Sequence, residues 1–411
     1  MWELLFLGNQ NKKISILYVD QAVAFGGSLI VIGHIIDALD KNKFRPVVVA
    51  ELDESTLKNH IKHDVPIYIK RRIYNYMHWM KTVKIIKKIP GKHLRKIVKY
   101  LCYGIQSLVN SAYIFSLIRV VIDEKIDLIH VNNGMNNFAP ILVSILLKRK
   151  FIVHCHGIEY LDSKQRFVIE KVPKFIIISE FLKKKMIANH IPEDRMAVIP
   201  NPVKTKEIPP HKVEALCKRY NIRKQDLVFG IVGRMMRWKG HIELLMAAKI
   251  VLRALPEAKL VIVGGASDGD TKNLKDITKL VDDSGFKDRI IFTGYMPDVS
   301  VFYKIIDVCV HCSIEPEPFG LVITEAMSYG VPVIASDLGA PKEIITDGEN
   351  GFIVSPTETE KLAETIIKLL TDEDLRKRLG RNGKQHVESV YQLEAYGRSI
   401  EKVYLDVLGD E

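Results

Sequence analysis

The chain has 411 residues, 47% apolar and 27% charged, with 60 Lys and Arg against 49 Asp and Glu for a net charge of +11. That length exceeds what one hydrophobic core usually serves and predicts two domains, while the composition excludes disordered and collagen-like classes. Five cysteines, Cys102, Cys155, Cys217, Cys309 and Cys312, form an odd, scattered set that argues against a disulfide framework and for a reducing compartment.

The opening Met1-Trp-Glu-Leu-Leu-Phe-Leu-Gly8 lacks a basic region and reads as no secretory signal. The most apolar stretch, Gly104 to Ile122, carries Gln106, Asn110 and Arg119 and reads as a packed helix rather than a membrane span. A cytoplasmic location is expected. Strand-like runs in the first half are Ile14–Val19, Pro46–Leu52, Ile67–Ile69, Leu128–Val131, Phe151–Cys155 and Phe175–Ile178. After the first of these, Gly26-Gly27 allow close backbone approach to a phosphate or sugar. The nicotinamide pattern Gly-x-Gly-x-x-Gly is absent there. His156, in His154-Cys-His-Gly157, falls at the carboxyl end of a strand, where open parallel sheets bind ligands.

Charge is unevenly spread. From Val65 to Ile122 no Asp or Glu occurs, while Lys and Arg occur twelve times. Basic side chains among aliphatic and aromatic neighbours suit an anionic membrane surface, so residues 70–100 are expected to touch one, at the inner face of the cell membrane. A solvated helix surface and a soluble polyanion are the alternatives; nucleic acid is not the expected partner.

A proline-rich stretch, Ile199-Pro-Asn-Pro-Val203 to Pro209-Pro210, marks the boundary. Residues 1–203 form one expected Rossmann-like domain and 204–395 a second, with 396–411 a last helix returning to the first. Second-half strands are Leu227–Val232, Lys259–Val263, Ile290–Phe292, Val308–His311 and Val333–Ala335. Continuous apolar runs alternating with helices predict an α/β fold of two doubly wound parallel sheets with a cleft between the domains.

Two second-half segments carry the chemistry. Gly233-Arg-Met-Met-Arg-Trp-Lys-Gly240 places Arg234, Arg237 and Lys239 at the mouth of a helix expected from about Lys239 to Leu252. Cations there oppose the helix dipole unless an anion binds. Glu315-Pro-Glu-Pro-Phe-Gly-Leu-Val-Ile-Thr-Glu325 sets Glu317 and Glu325 eight positions apart around a turn opening a helix, Leu321–Tyr329. Ionised carboxylates are pure acceptors and suit sugar or ribose hydroxyls. Hydroxyls at both ends and phosphate between them describe a nucleotide sugar. Cys309-Val-His-Cys312 lies in a strand, with side chains on opposite faces, and is not expected to hold a metal. Asp268-Gly-Asp270, after Gly264-Gly265, reads as a surface turn.

These motifs, with Glu325-Ala-Met-Ser-Tyr-Gly-Val-Pro-Val-Ile-Ala-Ser336, Asp347-Gly-Glu-Asn-Gly351-Phe and Ile199-Pro-Asn201, resemble the retaining glycosyltransferases of family 4 (glycosyl transferases group 1), of GT-B fold. The resemblance covers essentially the whole chain and is strongest from Val228 to Val354. It implies that Arg234 and Lys239 hold the donor diphosphate, Glu325 the ribose and Glu317 the transferred sugar. Gly233, Gly264 and the amides of Phe319, Gly320 and Leu321 would complete the donor site. Gly26 and Gly27 would approach the phosphate, and His156 would lie beside the sugar. Residues 204–395 would bind the nucleotide sugar and residues 1–203 the acceptor, a glycan or lipid-linked; no cofactor or metal is implied. Gly339-Ala340-Pro341 departs from the family's two glycines. Rival readings are a sugar-nucleotide 2-epimerase of the same fold and a non-enzymatic basic surface-binding module.

Overall fold

The structure, a computed structural model, describes residues 13–22, 26–61, 64–73, 82–83, 85–86, 88–159, 168–266 and 271–409. Asp268 and Asp270 lie outside them, as does part of the basic stretch. The chain divides into two compact units. One comprises residues up to 177, 185–199 and from 397 on; the other comprises 178–184 and 200–396.

The first unit holds seven strands: β1 (Ile14–Asp20), β2 (Phe44–Ala50), β3 (Ile67–Ile69), β4 (Leu128–Val131), β5 (Lys150–Cys155), β6 (Phe175–Ile177) and β7 (Met196–Val198). Their order is β3-β2-β1-β4-β5-β6-β7 and every pairing is parallel. The register sets Ile14 opposite Phe44 and Ile16 opposite Leu128. Strand direction of travel reverses across the sheet between β1 and β4, which makes their carboxyl ends the switch point where such sheets bind ligands. Helices here are α1 (Gly27–Ala38), α2 (Glu54–Lys58), α3 (Lys92–Val109), α4 (Ser111–Asp123), α5 (Phe138–Leu146) and, from Lys185 on, the end of α6 (Glu180–Ala188).

The apolar stretch Gly104–Ile122 is not one packed helix. It breaks at Asn110 between α3 and α4. The α4 helix buries Tyr113, Leu117, Val120 and Val121 at the i, i+3, i+4 spacing of a packed helix. Within the sheet core lies a chain of buried polar groups. The Tyr404 hydroxyl is 3.0 Å from the Tyr18 hydroxyl and 2.8 Å from His130 Nδ1, and His130 Nε2 is 3.1 Å from His154 Nδ1. Burial pushes His130 down to about 3, so the chain is one of neutral groups.

The second unit carries β8 (Leu227–Val232), β9 (Ala258–Val263), β10 (Ile290–Gly294), β11 (Val308–His311), β12 (Val333–Ala335) and β13 (Phe352–Ile353). They run in the order β10-β9-β8-β11-β12-β13, again all parallel. Around them lie α7 (Pro210–Arg219), α8 (His241–Ala254), α9 (Thr271–Asp282), α10 (Leu321–Ser328), α11 (Pro341–Ile344), α12 (Thr359–Thr371) and α13 (Glu373–Val390), while α14 (Leu393–Leu408) belongs to the first unit from Gly397 on. The core joins Phe229, Leu260 and Ile262 of the strands to Leu244, Ala248 and Val251 of α8 and to Ile366 and Leu369 of α12. The switch point falls between β8 and β11. From α14, Tyr404 is fully buried in the first unit, and the Asp40 amide donates to Glu401 at 2.6 Å. Among the described residues no helix is long and apolar enough to cross a membrane.

Candidate functional site

The second unit's switch point is framed by the loops after β8, β9, β11 and β12. Backbone contacts lace them together. The Ile314 amide donates to Trp238 O at 2.8 Å, and the Met235 amide to Gly265 O at 2.9 Å. Gly240 sits at φ +74, and a Cβ there would lie 1.7 Å from Cys312 O, so only glycine lets the Lys239 loop come this close. Gly264 likewise sets its Cα against Gly233 O.

This lacing places Lys239 Nζ 2.7 Å from Glu317 Oε2. His311 Nε2, at the end of β11, reaches the same oxygen at 2.9 Å and Ser313 Oγ at 3.1 Å. All three converge on Oε2; Oε1 has no partner among the described residues. Burial alone would raise the Glu317 carboxyl. The adjacent Lys239 ammonium, aided by His311, outweighs it and holds the group well below the usual carboxylate range. The result is a fixed anion with one oxygen occupied and the other open, beside a cation with donors to spare.

Of the three cations in the loop, one, Arg237, is drawn away from a joint phosphate grip. Arg237 and Lys239 lie in a 3-10 turn, and α8 begins only at His241. Arg237 is committed to a two-pronged pair with Glu243, at 2.8 and 2.5 Å. Arg234 is exposed and meets no carboxylate among the described residues.

Gly320 caps α10 at φ +104. The amides of Phe319, Gly320 and Leu321 find no acceptor among the described residues, as the first turn of a helix requires of some of its donors. Phe319 is buried edge-on against Tyr391. The Gly339 loop pins the Glu317 segment from the other side: the Glu317 amide donates to Leu338 O at 3.1 Å and the Ala340 amide to Glu317 O at 2.9 Å. Ala340 is fully buried under this contact. Gly339 has φ +93, and a Cβ would stand 2.3 Å from Glu317 O. Gly339→Ala is therefore expected to cost about 2–4 kcal/mol of stability, from left-handed strain plus a backbone clash. Denaturant unfolding checks this; unchanged stability would mean that the two loops are not held together as described.

In the second turn of α10, Glu325 Oε2 accepts from the Tyr303 hydroxyl at 3.1 Å. Tyr303 stacks on Tyr329 with ring centroids 5.7 Å apart, and Tyr329 grips the Lys206 backbone. Lys206 pairs with Asp298 at 2.7 Å. Burial pushes the Glu325 carboxyl up to about 7, against the lowering pull of Tyr303 and Lys206.

In the first unit, Gly26 precedes and Gly27 opens α1, close to the carboxyl end of β1. His156 follows β5. Its Nε2 lies 2.7 Å from Asn132 Oδ1, while Asn132 Nδ2 donates to Asp20 Oδ2 at 2.8 Å. Asp20 also accepts from Asn133 and Ser28. The Asp20 link orients the Asn132 amide, so Nε2 of His156 must carry the proton and Nδ1 the lone pair. Burial pushes His156 down to about 3, which keeps it neutral. Glu51, at the end of β2, is buried and paired with Arg72.

Sequence reasoning missed His311, Ser313, Tyr303, Lys206 and Asp298 in the second unit and Asp20 and Asn132 in the first. Asp20 had a signal: an acid closing an apolar strand next to Gly26-Gly27. Among the described residues no group of three or more His, Cys, Asp or Glu is placed to hold a metal.

Two doubly wound parallel sheets, with a lysine–glutamate pair and free helix amides at one switch point, are the architecture of a GT-B glycosyltransferase. The chain belongs to that class by descent: it matches the profile described as Glycosyltransferase Family 4 over residues 25–207 and that described as Glycosyl transferases group 1 over residues 213–386. The capsular polysaccharide biosynthesis glycosyltransferase CapM of Staphylococcus aureus is 28% identical over 250 residues, spanning 58% of this chain and 64% of that one. The N-acetyl-alpha-D-glucosaminyl L-malate synthase of Bacillus anthracis is 26% identical over 300 residues, 70% of this chain and 77% of that. Among solved structures, Anabaena Alr3699/HepE in complex with UDP-glucose superposes with a TM-score of 0.77 at 20% identity, covering 96% of this chain and 100% of that one.

Proposed function

We propose that the protein transfers a sugar from a nucleoside diphosphate sugar to a hydroxyl, with retention of anomeric configuration, in the building of a polysaccharide or glycolipid. The observation that carries this is the Lys239–Glu317–His311 cluster, together with the amides of Phe319, Gly320 and Leu321 and an exposed Arg234 that meet no partner among the described residues. The relatives that make capsular polysaccharide or bind UDP-glucose support it by analogy.

In this reading the diphosphate lies against Lys239, Arg234 and the amides of Phe319, Gly320 and Leu321. Glu317 Oε1 accepts from a hydroxyl of the transferred sugar, and Glu325 from the ribose. As the bond between the anomeric carbon and the phosphate oxygen breaks, negative charge grows on the diphosphate, and the cations stabilise it more in the transition state than in the ground state. The acceptor oxygen attacks from the same face, and its proton passes to the departing phosphate oxygen. Glu317, tied up at Oε2, binds rather than attacks. His156 offers Nδ1 to a sugar hydroxyl as an acceptor. Gly26 and Gly27 admit the phosphate to the first unit's switch point. The charge is supplied by side chains and amides, so turnover needs no metal or other cofactor. The acceptor is a glycan or a lipid-linked glycan, and the protein works at the cytoplasmic face of the membrane.

Calorimetric titration with UDP and a panel of UDP-sugars tests the donor reading, followed by product analysis with and without chelator. Binding weakened by Arg234→Ala, and turnover unaffected by chelation, are expected. Absence of binding to any nucleotide sugar would sink the proposal. Strict dependence on manganese would sink its metal-free form and turn attention to Asp268 and Asp270.

A further inference from the structure

The helix α3 (Lys92–Val109) exposes what a packed helix buries. Leu94 is 50% exposed, Ile97 56%, Leu101 62%, Ile105 62% and Leu108 75%. At 3.6 residues per turn, the steps of three and four between these five positions put them on one stripe. Lys92, Arg95, Lys96 and Lys99 fall on the opposite side of the same helix. On α4, Phe115 and Ile122, seven residues apart, are also exposed, at 68% and 55%.

We infer that α3 lies flat in the interfacial layer of an anionic lipid membrane, its leucine–isoleucine stripe among the acyl chains and its cations at the level of the headgroups. An apolar stripe backed by a basic face is the signature of a helix that rests in a membrane surface rather than spanning it. Charge selects the lipid. The segment from Val65 to Ile122 contains twelve Lys and Arg and no acid, so its complement is a surface of uniform negative charge. A second copy of the chain fits less well. With Leu94 and Leu101 as a positions of a heptad, the flanking e and g positions are Val98, Tyr100, Ile105 and Ser107, with no charge to fix a register. Gly104 falls at d, where a helix pair needs a knob.

The inference deepens the lipid-linked part of the acceptor reading and is independent of the donor site. Flotation of the full chain with vesicles of phosphatidylcholine, alone or mixed with phosphatidylglycerol, tests it at low and high salt. Roughly tenfold greater recovery with the mixed vesicles is expected, reduced but not abolished by salt. The double variant Leu101→Asp/Ile105→Asp should lose that recovery about tenfold. Both positions are exposed, so its melting temperature should stay at the wild-type value. Lys92→Gln/Arg95→Gln/Lys96→Gln should lose the salt-sensitive part alone. Nucleotide-sugar binding, measured on the same samples without lipid, should not change in either variant, which separates a failed membrane inference from a failed donor site. Equal recovery with neutral and anionic vesicles would overturn the inference. So would a doubled solution mass that Leu101→Asp/Ile105→Asp halves, since the stripe would then be an interface between copies.

Discussion

Lys239→Ala is expected to lower turnover by about 10²–10³-fold, the usual effect of removing one donor aimed at developing negative charge. Two losses coincide in this variant. The diphosphate loses a cation, and Glu317 loses the partner 2.7 Å from its Oε2. With Lys239 present, the Glu317 carboxyl is held below its ordinary 4.5, so its contribution to stability is complete above that value and disappears as pH falls toward the depressed one. Without Lys239, burial dominates and pushes the carboxyl upward, leaving it His311 and Ser313 as partners among the described residues. The variant should therefore be less stable than the wild type above pH 4.5 and approach it in more acidic solution. Lys239→Arg keeps the charge but not the point-like ammonium, and should restore stability better than turnover. Rate measurements beside thermal unfolding across pH check both halves. Wild-type turnover in Lys239→Ala would remove this residue from the site.

Much of the architecture was legible because burial on both faces writes a strand as an unbroken apolar run. Leu227–Val232 is such a run, Leu128–Val131 is one but for the buried His130, and both occupy the middle of their sheets. The two strands that sequence reasoning overlooked, Met196–Val198 and Phe352–Ile353, are edge strands of three and two residues with half-buried positions. A strand that short and that exposed leaves no run to detect. The apolar content of Gly104–Ile122 misled for a related reason. Hydrophobicity alone does not say what covers a helix, and Ile105 and Leu108 of that stretch stand exposed.

At the site, chain-local signals were readable and cross-chain ones were not. Glu317, Gly320 and Glu325 share one loop and helix, so spacing revealed them. The partner of Glu317 comes from 78 residues earlier in the chain, and Tyr303 reaches Glu325 from a 3-10 turn with no periodic pattern. Arg237 shows the converse error. It sits in the same basic cluster as Lys239, yet Glu243 neutralises it across the junction between a 3-10 turn and α8, a pairing outside the helical i, i+4 rule. Counting cations in a loop overstates the charge that a ligand meets.

For Glu325 the expected result is a proton-linked affinity. Its carboxyl is pushed up to about 7, so near neutral pH a substantial fraction carries a proton. Ribose hydroxyls need the ionised form as acceptor, so donor binding should expel that proton. Affinity should then rise up to about tenfold per pH unit below 7 and level off above it. Stability of the ligand-free protein runs the other way. A carboxyl raised from 4.5 to about 7 binds more protons folded than unfolded in that window, so its contribution falls as pH rises from 4.5 to 7 and stays flat beyond. Glu159, also pushed up to about 7 by burial, adds a slope of the same sign in the first unit, so the variant and not the bare profile identifies the group. Glu325→Gln should flatten the affinity profile and weaken donor binding about 10²-fold above neutrality, the loss of charge-assisted hydrogen bonds. It should also make the free protein more stable there. Calorimetry in buffers of different ionisation heat counts the released proton directly. A variant that keeps both the wild-type slope and the wild-type affinity would show that Glu325 touches no part of the donor.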